Sequence, residues 1–269
     1  MLYPKIDTLF ERDPTTFKII PGEFTNKIYK LVREWEWTEK IDGTNIRIMY
    51  NPDLLNTKLV KDSFDTSTGN TYSVWDCITY GGKEDKSEVP EGVKDYLDET
   101  LSVDRLHSLF GEKPVTIYGE GYGAKIQTGK GYSPTQKFIA YDILVGERYW
   151  LNPYDVEDIC IQLGLDVVPH LGKMEIHEAV EMLSEGFKSK LGDGSMDAEG
   201  LVGRPPIPLF DAKHRRLICK LKTCDFEKGK CLLDIKSPMF FTEGDQTPSV
   251  PLVFGRDHNN NNNLEDNND

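Results

Sequence analysis

The stretch EKIDGTNIR, Glu39 to Arg47, decides how this chain is read. Before it, Trp35 and Trp37 alternate with polar residues, and Ile46, Ile48 and Tyr50 do the same within and after it. Period-two alternation on both sides of Asp42-Gly43, a turn signal, predicts two strands between Glu34 and Tyr50. Lys40 then stands at the end of the first strand, displayed at a fixed place. The small Gly43 lets a ligand approach the backbone beside it. A lysine so placed is a candidate nucleophile, and burial and neighbouring cations would favour the unprotonated amine it needs. The plain alternative is a surface lysine beside a turn. Alone, Lys-x-Asp-Gly should arise by chance in roughly one chain of this length in twenty.

Working outward, four further motifs follow in order. They are Tyr118-Gly-Glu120-Gly, Phe138-Ile-Ala-Tyr141-Asp142, Ala198-Glu199-Gly200 and Lys220-Leu-Lys222. Each falls at or beside an expected strand: Pro114–Glu120, Lys137–Val145 (apolar enough to be central), Gly200–Pro205 and Arg216–Thr223. Between them, Val93, Leu97, Leu101, Leu106 and Leu109 at near-helical spacing predict one or two helices over Glu91–Phe110. Asn152-Pro153 reads as an N-cap with proline in the first turn of a helix reaching Gly164. Another helix is expected from Glu175 to about Lys190. The sum is an α+β chain in which antiparallel strands dominate. The ordered domain is expected over 1–235, followed by a polar tail, 236–269, whose asparagine run has nothing apolar to bury and should be disordered.

The 269 residues include 38% hydrophobic and 10% aromatic, enough for a real core. With 32 basic and 45 acidic residues the net charge is −13, the wrong sign for coating nucleic acid by bulk attraction. Any nucleic-acid contact must therefore use basic residues gathered in one groove. No stretch approaches the roughly 20 apolar residues that span a bilayer, and the first residues have no signal-peptide core. Membrane partners are not expected. The five cysteines form no CxxC pair and read as reduced thiols of an intracellular protein. Neither they nor the five histidines show metal-ligand spacing. Gly119-Glu-Gly-Tyr-Gly-Ala124 matches a dinucleotide fingerprint, but that motif needs a helix directly after it. The sequence that follows, KIQTGKGYSP, cannot make one.

Taken together, the five motifs resemble the covalent nucleotidyltransferase superfamily of ligases and capping enzymes, which shares a lysine, a glutamate strand, an aromatic-Asp strand, a Glu-Gly motif and a closing Lys-x-Lys strand. Within it the chain is most similar to phage-type ATP-dependent RNA ligases. The marks are Glu39 directly before the lysine, Asn45 after the turn, the block YGEGYGAKIQTGKGY, and YGGKEDKSEVPEGV from Tyr80. The resemblance implies an antiparallel-sheet adenylation domain with flanking helices, of DNA-ligase-like or ATP-grasp-like type. It further implies that Lys40 attacks the α-phosphorus of ATP and carries AMP. The AMP then passes to an RNA 5′-phosphate, which is joined to a 3′-hydroxyl.

Roles for individual residues follow from the same resemblance. Lys220 and Lys222, two apart on a strand and so on one face, would neutralise the α-phosphate. Lys83 stands where the family has a phosphate-binding arginine, supplying charge without the guanidinium's fork. Glu120 and Glu199 are the expected sugar and metal contacts, with Asp142 as a further metal candidate for Mg²⁺ or Mn²⁺. Glu39 would read the adenine amine through its backbone or its carboxylate, and Tyr141 would stack on the ring while Phe138 packs in the core. Asn45 and Arg47 share one face and would meet sugar or phosphate. Related ligases carry a further C-terminal domain on the nucleic acid, so a protein partner is an expectation here. The expected setting is the cytoplasm of the cell, or of the host if a virus or phage encodes the chain. The competing readings are a capping guanylyltransferase, a DNA ligase, and a nucleotide- or RNA-end-binding module without catalysis.

Overall fold

Asp42-Gly43 does not close a hairpin: it carries the chain from one sheet to another. The computed structural model describes residues 1–56, 64–65, 70–71, 77–127 and 129–226. The first elements are β1 (Asp7–Thr8), β2 (Phe10–Arg12), β3 (Ile19–Phe24), β4 (Trp35–Lys40) and β5 (Thr44–Tyr50). Next come α1 (Asp53–Asn56), the paired β6 (Phe64–Asp65) and β7 (Asn70–Thr71), and β8 (Ile78–Gly81). Then follow α2 (Glu91–Thr100), α3 (Val103–Phe110), β9 (Val115–Tyr122), β10 (Lys137–Val145) and β11 (Tyr149–Trp150). The last are α4 (Pro153–Leu163), β12 (Asp166–Val167), β13 (His170–Met174), α5 (Ile176–Glu185), β14 (Gly200–Arg204) and β15 (Cys219–Lys222).

One sheet has the order β1-β15-β14-β4-β13, and the other runs β11-β10-β9-β5-β8 with β12 added to β10. Pairing is antiparallel apart from β1 on β15 and β12 on β10. Gly43 makes the passage between the sheets: a Cβ there would lie 2.3 Å from the Gly121 carbonyl oxygen. Only glycine lets the turn press that closely on β9. Lys40 therefore stands at the seam between the sheets.

Each sheet buries its own core. Ile46, Ile48, Ile117, Phe138 and Ile143 pack with Val93, Leu97 and Leu106 of α2 and α3 and with Val156, Cys160 and Leu163 of α4. Trp35 and Trp37, wholly buried, pack with Leu201, Leu221, Leu9, Phe10 and the α5 residues Ala179, Val180 and Leu183. A third cluster, Ile41, Tyr122, Tyr132, Ile139 and Val168, lies at the seam. The alternation in β4 predicts a polar face in water, yet Glu36, Thr38 and Glu39 are buried too. Glu36 is compensated by His170 Nε2 at 2.7 Å and Lys173 Nζ at 3.6 Å, as a buried carboxylate requires.

Several expectations hold in detail. Glu91–Phe110 is two helices, and Asn152 accepts from the amides of Tyr154 and Asp155 at the start of α4, with Gly164 left-handed at its end (φ 79°). After Gly119-Ala124 comes no helix of dinucleotide-binding type but turns and a short 3₁₀ segment. Two boundaries need correction. The helix expected to reach Lys190 stops at Glu185, where Gly186 takes φ 79° and ends the ladder. The strand expected over Arg216–Thr223 is regular only from Cys219 to Lys222, because Arg216 turns aside into an isolated bridge with Phe210. The chain divides into Met1–Lys236 and Ser237–Asp269. The expected asparagine-rich tail lies outside the described residues. Among those described, no helix is long and apolar enough to cross a membrane.

Candidate active site

Strand register builds the site. Lys40 on β4 pairs with Gly200 on β14, which pairs with Lys222 on β15. One row over, Thr38, Val202 and Lys220 align in the same way. A Cβ at Gly200 would come 2.0 Å from the Leu221 carbonyl oxygen, so the middle of the row has no room for a side chain. Glu199, directly before Gly200, reaches both lysines: Oε2 accepts from Lys40 Nζ at 2.6 Å, and Oε1 lies 3.0 Å from Lys222 Nζ. The ion pair with Glu199 favours the protonated form of Lys222. Lys220, desolvated and repelled by Lys40, Lys222 and Lys5, holds its proton less tightly than an ordinary lysine.

The other sheet supplies the opposite wall. Glu120 on β9 pairs with Asn45 on β5 and with Ile139 on β10. Burial lifts its carboxyl to about 8, Lys40 opposing and Glu199 and Asp42 adding to the rise. Asn45 Nδ2 donates to the Tyr141 hydroxyl. Tyr141 is the extra residue of a bulge in β10 and faces the seam, while Phe138 packs in the α2–α4 core. Between the walls lies a cavity of about 420 Å³, bordered by Lys40, Lys220, Lys83, Glu120, Asn45 and Tyr141. The structure thus brings together residues separated by up to 180 positions in sequence.

Two expected roles are corrected by the geometry, and that of Glu39 is narrowed to its backbone. Asp142 is not a metal ligand beside Lys40: it is wholly buried and taken up by Arg216 (2.6 Å), the Tyr3 hydroxyl (2.8 Å) and Arg204 (3.8 Å). Arg47 shares its strand face with Asn45 but does not border the cavity. Its Nε donates to the Gly82 carbonyl (3.1 Å) and its Nη2 to Asp85 (2.6 Å), bracing the loop that carries Lys83. Glu39 borders the cavity, but its carboxylate accepts from Ser189 Oγ and from the Lys190 amide (2.8 Å), so it is already committed. Among the described residues, no three His, Cys, Asp or Glu side chains converge as a metal site. Glu120 and Glu199 remain, two carboxylates within electrostatic reach of each other. A hard divalent cation that takes one or two carboxylates, phosphate oxygens and water suits such a pair.

Sequence reasoning missed the N-terminal segment. Leu2, Tyr3, Pro4, Lys5 and Ile6 form a wall of the same cavity. Tyr3 is pinned by Asp142 and packs edge-on to Tyr141 (5.0 Å, 70°), while Met1 accepts from the Tyr118 hydroxyl at 2.9 Å. No local signal announces this, since each partner lies more than a hundred residues away. Arg204 was missed as well. It is buried at the cavity edge, holds the Tyr141 carbonyl at 3.3 Å, and leaves its Nε without a hydrogen-bond partner.

The fold and site can now be set beside known proteins. Naegleria gruberi RNA ligase matches in several solved forms, which shows a shared mixed α and β fold. A mutant with ATP and Mn aligns at TM-score 0.51 and 18% identity over 81% of this chain and 59% of that one. The form with pyrophosphate aligns at TM-score 0.51 and 16% identity over 82% and 61%. This chain therefore spans about three-fifths of the length of the structures it matches. A comparison with curated protein sequences gives no match. The RNA ligase family model matches residues 33–222, and the chain belongs to that family.

Proposed function

We propose that this chain is an ATP-dependent RNA ligase built on a nucleotidyltransferase adenylation domain. The observation that carries the reading is the cavity at the seam, where Lys40 faces Lys220, Glu120 and Tyr141. The family match and the ligand-bound structures of the Naegleria enzyme support ATP and a divalent cation as cofactors.

In the first step the neutral Lys40 amine attacks the α-phosphorus of ATP. The N–P bond forms, the bridging P–O bond breaks, pyrophosphate leaves with the electron pair, and the nitrogen gives up one proton to solvent to become the phosphoramide. Glu199 must release Lys40 before that attack, and Lys222, 3.0 Å from the other carboxylate oxygen, is placed to keep it. Lys220, in the cavity lining, and Lys222, beside it on β15, meet the phosphate charge that develops. Tyr141, its hydroxyl fixed by Asn45, offers its ring to the adenine. Glu120 and Glu199 would hold the divalent cation, which supplies Lewis-acid neutralisation of the phosphate oxygens. In the second step an oxygen of the RNA 5′-phosphate attacks the same phosphorus and Lys40 leaves, regaining its proton. In the third, a 3′-hydroxyl displaces AMP and the phosphodiester closes.

Incubation with Mn²⁺ and either ATP or GTP, each labelled on the α-phosphate, tests the nucleotide. Label from ATP is expected, and label from GTP alone would make the chain a capping-type enzyme. Sealing of a 5′-phosphorylated RNA end tests the later steps.

A further inference from the structure

Beside the nucleotide cavity lies a larger one, of about 880 Å³, and the two share Tyr3, Pro4, Lys5 and Ile6 as a common wall. Its other sides come from the β10–β11 turn, with Arg148, and from the loop between β14 and β15, with Phe210, Arg215 and Arg216. The lining carries four lysine or arginine side chains against three carboxylates, whereas the whole chain has 32 basic and 45 acidic residues. Both cavities are thus lined slightly positive within an acidic chain.

The internal pairings show which charges are spare. Arg215 is taken by Asp211 at 2.8 Å and Asp7 at 3.8 Å, and Arg216 by Asp142. The Asp211 side chain also caps the amides of Lys213 and Arg215, fixing the loop that presents Phe210. Lys5, Arg148 and the neighbouring Glu147 have no ion-pair partner among the described residues, and all three are exposed, leaving two cations against one carboxylate. Trp150 cannot offer its ring, because Tyr118 stacks on it and Arg216 covers it at 4.2 Å. Phe210 is 50% exposed with its ring free at the cavity wall. An exposed aromatic and two spare cations lining one cavity are what a single strand needs: a stacking surface for a base and charges for its backbone. Lys5 borders both cavities, and its charge already weakens the hold of Lys220 on a proton. A phosphate held by Lys5 would therefore stand beside the nucleotide phosphates.

We propose that this second cavity seats the 5′-phosphorylated end of the RNA strand. Phe210 stacks on a terminal base, Arg148 contacts the backbone, and Lys5 holds the 5′-phosphate at the boundary. The proposal rests on the ligase reading for the identity of the strand, and its test is kept separate from AMP attachment. A short 3′-labelled RNA, with either a 5′-phosphate or a 5′-hydroxyl, is titrated with the full chain and binding is followed by fluorescence anisotropy. The wild type is expected to prefer the 5′-phosphate. Phe210→Ala and Arg148→Ala should each weaken binding roughly fivefold or more, the lower range for loss of a stacking or backbone contact. Arg148→Lys should recover part of that loss, and Lys5→Ala should erase the 5′-phosphate preference. Ile161→Ala, an exposed change on α4, is the control for handling. Wild-type affinity in the Phe210 and Arg148 variants, or a preserved 5′-phosphate preference in Lys5→Ala, would overturn the proposal. If RNA binding depends on these residues but no AMP adduct ever forms, the cavity assignment stands and the ligase reading falls. If the adduct forms and these variants bind as wild type, the reverse holds.

Discussion

Glu199 binds two lysines at once, and that single contact organises the chemistry. In Glu199→Ala the expected cation loses one ligand and Lys222 loses the carboxylate that positions it, so AMP attachment should fall on the order of 10²-fold although Lys40 is freed. Lys220→Ala and Lys222→Ala should each cost a comparable factor, read as the initial rate of label incorporation, with melting temperature as the control for folding. Losses below about threefold would remove these side chains from phosphate stabilisation. Glu120 makes a prediction about pH. Its carboxyl is raised to about 8 by burial, whereas an unfolded glutamate titrates near 4.3. Between those values the folded chain keeps a proton that the unfolded chain has lost, so this group's contribution to stability declines as pH rises through the window. Glu120→Gln should thus raise the melting temperature by several degrees at about pH 8.5 and change it little at about pH 4.5. An equal change at both values would mean that ionisation of Glu120 is not the cause.

At the scale of the element, β10 shows what local reading captures and what it loses. Alternation separates Phe138 from Tyr141 correctly, since that needs only the pleat. It does not reveal the bulge at Tyr141, after which Ile143 rejoins the Phe138 core. Nor does it reveal that Asp142 is claimed by Tyr3 and Arg216, 139 and 74 positions away. Asp142→Ala should leave buried Arg204 and Arg216 without their counter-charge, costing about 3–5 kcal/mol in denaturant unfolding. A cost under about 1 kcal/mol would mean that the network is not structural. The motif strands β4, β9, β14 and β15 were legible because each has a periodic apolar pattern, and β9 and β14 add glycines at crowded points. The N-terminal wall was not, because Met1–Ile6 has no period and gains its place from long-range contacts alone. The role of Arg47 was misread for a related reason: the alternation gives its face correctly, but only the fold shows the Lys83 loop lying across that face.

For the molecule as a whole, the decisive feature is that two sheets meet at one short turn. The lysine strand belongs to one sheet and the glutamate strand to the other, so the nucleophile and the opposite wall of its cavity are assembled by the seam itself. The acidic net charge of −13 then limits how RNA is held. If RNA is held at the two cavities, whose lining cations without an ion pair among the described residues are few, Lys5, Arg148 and Lys83 among them, log affinity should fall with log salt at a shallow slope, on the order of −2 to −3. A slope several times steeper would point to a larger basic surface than the described residues provide.

The proposed mechanism depends on Lys40 carrying AMP. Peptide mass spectrometry of the full chain after incubation with ATP and Mn²⁺ addresses it directly, performed at neutral to basic pH because the phosphoramide is acid-labile. The expected result is one AMP on the peptide containing Lys40, and none in Lys40→Ala despite an unchanged melting profile. AMP attached in equal amount to another residue, or to the Lys40→Ala variant, would contradict it.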